Sequence, residues 1–109
     1  MAESGFRLDH LNLPARDPEG LARWYARTFD LQADGHRLRG PGMLIAFQAG
    51  EPVKRAAEFH VGFRVENMKV LIEWAAKFSA QIATGSEFAS FRTFDPEDNC
   101  LEIYCRADT

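Results

Sequence analysis

Two histidines and one glutamate in this 109-residue chain have the types and the placing to hold a metal ion. His10 lies in LDHLNLP, His60 in FHVGFRV and Glu102 in CLEIYC. Each stretch alternates apolar and polar residues, the period of a strand buried on one side. Leu11 and Leu13 share one phase and His10 and Asn12 the other. Phe59, Val61, Phe63 and Val65 alternate in the same way with His60, Gly62 and Arg64, and Leu101, Ile103 and Cys105 with Cys100, Glu102 and Tyr104. The apolar phases belong under a helix layer, so His10, His60 and Glu102 all fall on the opposite face. Two imidazoles and one carboxylate are a set that binds a divalent ion and leaves coordination positions open for substrate. Iron, manganese, nickel and zinc all accept these donors. Taken singly, each residue would be an ordinary solvated group on the outer face of a strand.

What raises the three above that reading is a repeat. DPEGLARWYARTF has Asp17 as a natural N-cap, Pro18 at the first helical position, and an apolar stripe of Leu21, Trp24, Tyr25 and Phe29. NMKVLIEWAAKF has Asn67 as its cap and a stripe of Leu71, Trp74, Ala75 and Phe78. The caps (67 − 17), the leucines (71 − 21), the tryptophans (74 − 24) and the histidines (60 − 10) are all 50 residues apart. Each histidine precedes its cap by seven residues (17 − 10 and 67 − 60). Coincidences at one offset identify two copies of one supersecondary unit. The first copy runs from about residue 6 to 50 and the second from about 58 to 105. After its helix the first copy has a short extended piece around Leu31 to Leu38, a turn at Gly40 to Gly42, and the strand MLIAFQ. The second has a strand near Gln81 to Ala83, then SFRTF, a turn at DPEDN, and CLEIYC. Each unit is therefore a strand, a helix and two or three further strands, the first copy's middle strands being compressed.

Length and composition set the frame. A chain of 109 residues is expected to make one small domain with a real core. It is 46% hydrophobic and 27% charged, with a net charge of −3. No basic stripe offers the phosphate contacts that a nucleic-acid partner needs. No apolar run approaches the roughly 20 residues of a membrane span, and MAESGFRLDH lacks the basic and apolar regions of a signal peptide. Cys100 and Cys105 are five apart on one strand, about 16 Å, which is too far for a disulfide. A reducing, cytoplasmic location with two structural thiols is expected.

Other residues have secondary parts. Arg64 shares the phase of His60 and is a candidate to hold an anionic substrate group. Tyr104 shares the phase of Glu102 and is a candidate hydrogen-bond donor or acid. Glu102 and Tyr104 are thus the candidate catalytic groups, and Asn12, Arg64 and Tyr104 the candidate substrate-binding ones. The bland alternative for Arg64 and Tyr104 is a place on the rim. Arg92 and Phe94 share a phase in SFRTF without an assigned face. His36 is expected to be exposed, Trp24 and Trp74 to belong to the core of the helix layer, and Asp95 and Asp98 to serve the turn.

The stretches LDHLNLPARDPEGLARWYARTF, FHVGFRVEN and FDPEDNCLEIY resemble the vicinal oxygen chelate superfamily, which includes glyoxalase I, extradiol dioxygenases, and fosfomycin- and bleomycin-resistance proteins. The likeness covers nearly the whole chain, and the Asp-Pro turn before an acid on the final strand is its most specific part. It implies an α+β fold in which two βαβββ modules form a cupped mixed sheet with helices on the outer face. It also implies one divalent metal ion (Fe2+, Mn2+, Ni2+ or Zn2+) held by His10, His60 and Glu102. Some members take a fourth ligand from the last strand of the first module. Here MLIAFQ offers no acid or histidine, Gln48 being a weak substitute and Glu51 lying beyond the strand. The expected activity is a metal-dependent lyase or dioxygenase acting on a small oxygen-chelating substrate. The rivals are a metal-free binding protein of the bleomycin-resistance type and a metal-bound protein without catalysis. Sheet edges that need cover, and the pairing common among such small relatives, imply a homodimer.

Overall fold

Both helices start where the caps place them. The computed structural model describes residues 5–52 and 60–109. Helix α1 spans Pro18–Phe29, and the Asp17 carboxylate accepts from Gly20 N at 3.1 Å. Helix α2 spans Met68–Lys77, and the Asn67 side chain accepts from Val70 N at 3.0 Å. Each bond satisfies one of the orphan N–H groups of a first turn and contributes about 1 kcal/mol.

The chain divides into two compact units, Met1–Pro52 and Val53–Thr109. The first holds strand β1 (Leu11–Ala15), α1, β2 (Gln32–Asp34), β3 (Arg37–Gly40) and β4 (Met43–Ala49). Its sheet has the order β1-β4-β3-β2, with β1 parallel to β4 and the other pairs antiparallel. The second holds β5 (His60–Arg64), α2, β6 (Ala83–Thr84), β7 (Phe88–Phe94) and β8 (Cys100–Arg106). Its order is β5-β8-β7-β6, again with one parallel pair at β5–β8. The protein is thus α+β, with two βαβββ units of identical topology and two four-stranded mixed sheets. The compressed first copy keeps all its strands. Gly35 and Gly42, both with left-handed φ (+61° and +67°), close the β2–β3 and β3–β4 turns that make this brevity feasible. Phe59, the first apolar residue of FHVGFRV, and the start of the second copy at residue 58 lie outside the described residues.

In the first unit α1 buries Leu21, Ala22 and Tyr25 against Leu13, Leu38, Ile45 and Phe47. The Tyr25 ring stacks on Phe47 at 5.7 Å between centroids. In the second, α2 buries Leu71 and Ala75, while Phe91, Leu101, Ile103 and Cys105 supply the buried face of the sheet. Phe78 lies 6.1 Å from Phe91, and the Cys105 thiol meets the Met68 sulfur at 3.5 Å. Trp24 and Trp74 are only half-buried, which corrects their expected place in the core. Trp24 packs edge-on against Tyr25 at 5.0 Å, and Trp74 stacks with Phe78 and carries the Lys77 ammonium 4.1 Å over its ring. Their indoles cover the margin of the helix layer, a common place for a large ring with one polar atom. No helix among the described residues is long and apolar enough to cross a membrane. Both cysteines are free and buried, and burial pushes the Cys100 thiol up in pKa.

Candidate functional site

Strand register places the open face of the second unit residue by residue. Across β5, β8 and β7 three rows run His60–Cys100–Phe94, Gly62–Glu102–Arg92 and Arg64–Tyr104–Ser90. His60 and Glu102 sit on adjacent rows of neighbouring strands, and His60 Nε2 lies 3.8 Å from Glu102 Oε1. Donor atoms held side by side on one ion at about 2.1 Å lie about 3.0–3.4 Å apart, so the pair as placed is a few tenths of an ångström wider than a shared metal would hold it. The side chains are 31% and 25% exposed, accessible and yet held by the sheet. Tyr104 is half-buried with its ring edge-on to Phe88 at 5.8 Å, one row from Glu102. Arg64 is exposed beside it.

Arg92 is the group that pattern reading left unassigned. It stands directly opposite Glu102, and its Nε lies 3.4 Å from Glu102 Oε2. The two carboxylate oxygens therefore face different partners, Oε1 towards His60 and Oε2 towards Arg92. The turn at DPEDN fixes this register. The buried Asp95 side chain accepts from Glu97 N at 2.8 Å, Asn99 N at 3.0 Å and Asn99 Nδ2 at 2.8 Å. Asp98 takes the left-handed φ of +66° that the tight turn requires. Local hydrogen bonding accounts for Asp95, as expected of a turn aspartate, and it sets which β7 side chain meets Glu102.

His10 belongs to the first unit and precedes β1 by one residue instead of lying within it. Its Nδ1 is 2.8 Å from the Asp9 carboxylate, and its side chain is 46% exposed. Asn12 lies on the same phase, exposed, opposite Ala46. His36 is exposed in the β2–β3 turn, as expected. Among the described residues of either unit, no three His, Cys, Asp or Glu side chains gather into a metal cluster.

No family model matches the sequence, and no curated protein matches it. Solved structures do. A protein from Bacillus anthracis assigned to the glyoxalase family superposes with a TM-score of 0.69 at 16% identity, covering 97% of this chain and 99% of that one. The fosfomycin resistance protein FosX of Listeria monocytogenes gives 0.69 at 13% identity, over 92% and 93%. The oxidase ChaP-H2 gives 0.70 at 17% identity, over 94% of each. All three are vicinal oxygen chelate proteins. This chain has the vicinal oxygen chelate fold.

Within that fold the repeat identifies the first unit's counterpart of Glu102. Leu11 pairs with Ile45 as Val61 pairs with Leu101, so Ala46 occupies in β4 the place that Glu102 occupies in β8. Ala46 thus puts a methyl group where β8 carries a carboxylate. Gln48 lies one row further, opposite Pro14. A methyl group cannot ligate, so a four-ligand arrangement has no donor at that point of the chain.

Proposed function

We propose that the protein is a divalent-metal enzyme of the glyoxalase or dioxygenase type, with His10, His60 and Glu102 as metal ligands. The observation that carries this reading is the His60–Glu102 pair, an imidazole and a carboxylate 3.8 Å apart on the open face. The repeat supports His10, which stands at the position of His60 in the first copy. Bound there, iron, manganese, nickel or zinc would supply Lewis acidity towards vicinal oxygens of a small substrate. Glu102 supplies the single negative charge of the set, and Arg92 holds its second oxygen so that one oxygen remains for the ion. Tyr104, one row away, is placed to donate a hydrogen bond or a proton to a substrate oxygen. Arg64 and Asn12 line the same phases as His60 and His10 and serve as substrate contacts. The glyoxalase and fosfomycin-resistance names among the structural neighbours favour this class of chemistry.

One observation favours a second reading, a metal-free groove that binds a small molecule as bleomycin-resistance proteins do. Arg92 already gives Glu102 a cationic partner, which an acid facing no metal would require. Metal content of protein purified without an affinity tag separates the two. About one equivalent of iron, manganese, nickel or zinc per site is expected, and a metal-free protein that stays so after incubation with these ions selects the binding groove.

The working form is proposed to be a homodimer. In each unit the sheet ends on two edge strands, β1 and β2 or β5 and β6. Unpaired edges invite a second chain. Sedimentation at micromolar concentration should give twice the monomer mass, and a monomer there would refute pairing.

A further inference from the structure

The repeat turns one difference between the two units into chemical information. Across the open face of the second unit one row reads Gly62, Glu102, Arg92. The same row in the first unit reads Asn12, Ala46, Arg37. The arginine is present in both and the acid in only one. Arg92 has Glu102 as its counter-charge, whereas among the described residues Arg37 has no ion-pair partner. Arg39, on the same phase and opposite Leu44, has none either.

A depression of about 450 Å³ lies over this face of the first unit. Ala46 and Leu44 are its apolar lining, and Arg37, Arg39, His10, His36, Asn12 and Gln48 its polar lining. Asp9 also lines it, but its carboxylate is engaged by His10 at 2.8 Å. The wall therefore offers two guanidinium forks and two side-chain amides as donors, beside one carboxylate that His10 contacts. Guanidinium groups recognise paired anionic oxygens through parallel charge-assisted hydrogen bonds. A small side chain at position 46 leaves the room beside Arg37 that a carboxylate fills beside Arg92. We infer that the open face of the first unit binds the oxyanion head group (phosphate, phosphonate or carboxylate) of a small molecule, with Arg37 and Arg39 as its charged contacts. The ligand supplies the negative charge that Glu102 supplies in the second unit. This inference stands on the first unit alone and survives the loss of the metal reading.

The test is a titration of the isotope-labelled full chain, stripped of metal and dialysed free of chelator, followed by its amide NMR signals. Inorganic phosphate, methylphosphonate and acetate are added in separate arms at ionic strength held constant with sodium chloride. Saturable shifts confined to amides around residues 36–48 are expected with at least one of the three, and the arm that saturates tightest names the head group. Replacing both cations (Arg37→Gln with Arg39→Gln) should weaken that binding about tenfold or more, the loss of a charge-assisted contact. Ala46→Glu, which gives Arg37 an internal counter-charge, should weaken it similarly. Lys69→Gln, an exposed change on α2, should leave it unchanged. Both arginines are exposed, so their variants should keep the wild-type spectrum elsewhere and decide the matter even if Ala46→Glu does not fold. Shifts that never saturate, that spread over all surface cations, or that persist in the double arginine variant would overturn the inference.

Discussion

Glu102→Gln is expected to abolish the stabilisation that divalent metal confers, while leaving the metal-free melting temperature nearly where it was. Wild-type protein should melt higher in the presence of a ligand that binds only the folded state, by about 4 kcal/mol of added stability at a thousandfold excess over the dissociation constant. Glutamine keeps the shape of glutamate and removes the only anionic donor of the proposed set, so affinity should fall steeply. The fold should tolerate the change, because Glu102 is half-buried on the open face and not against α2. The substitution also takes the counter-charge from Arg92, whose side chain is 46% exposed. An exposed pair of this kind contributes about 0–1 kcal/mol, less than the expected metal effect. Arg92→Gln is the matching control: it frees Glu102 Oε2 without touching Oε1, and metal-dependent stabilisation should persist. Thermal melts of the three proteins with iron, manganese, nickel and zinc give the answer. If wild type shows no shift with any of them, the metalloenzyme reading falls and the ligand-binding groove replaces it.

How much of this was readable from residues alone depended on whether the deciding information was local. The helices were, because a cap and an apolar stripe lie within a dozen residues, and Asp17 and Asn67 make the bonds their positions suggest. So were the phases of His60 and Glu102, since β5 and β8 are long enough to alternate, β5 between exposed and half-buried residues and β8 with one face buried. The middle strands of the first unit were harder. QAD is exposed at all three positions and three residues long, too short for a period of two to declare itself. Arg92 was out of reach for another reason. Its phase within β7 is plain, but which β8 residue it meets is set by the turn that Asp95 holds together. Ala46 was hidden by unequal loops. The copies keep an offset of 50 through the helix, yet Ala46 and Glu102 are 56 apart, so Gln48 looked like the nearest donor until the β1–β4 register was known. His10 shows the limit of a phase argument at a strand end, for it keeps the parity of β1 but stands outside it.

Leu101→Ala should behave as the inverse of Glu102→Gln, although the two positions are neighbours in sequence. Leu101 is fully buried in β8, with Val61 beside it on β5 and Thr93 on β7, on the face that packs under α2. Truncation removes apolar atoms from a place the surrounding sheet cannot collapse to fill, since the ladder holds backbone on both sides. The transfer and cavity terms together give a loss of about 2–5 kcal/mol. For a chain of this size each lost kcal/mol lowers the melting temperature by about 4–8 °C. Metal affinity, measured below the transition, should be unchanged, because successive side chains of a strand point to opposite faces and Glu102 keeps its neighbours His60 and Arg92. The measurement is a denaturant midpoint for stability beside a metal titration for the site. A variant of wild-type stability would refute the buried role of Leu101. A variant that keeps its stability and loses metal would reverse the assignment of faces on β8, and with it the place of Glu102 in the site.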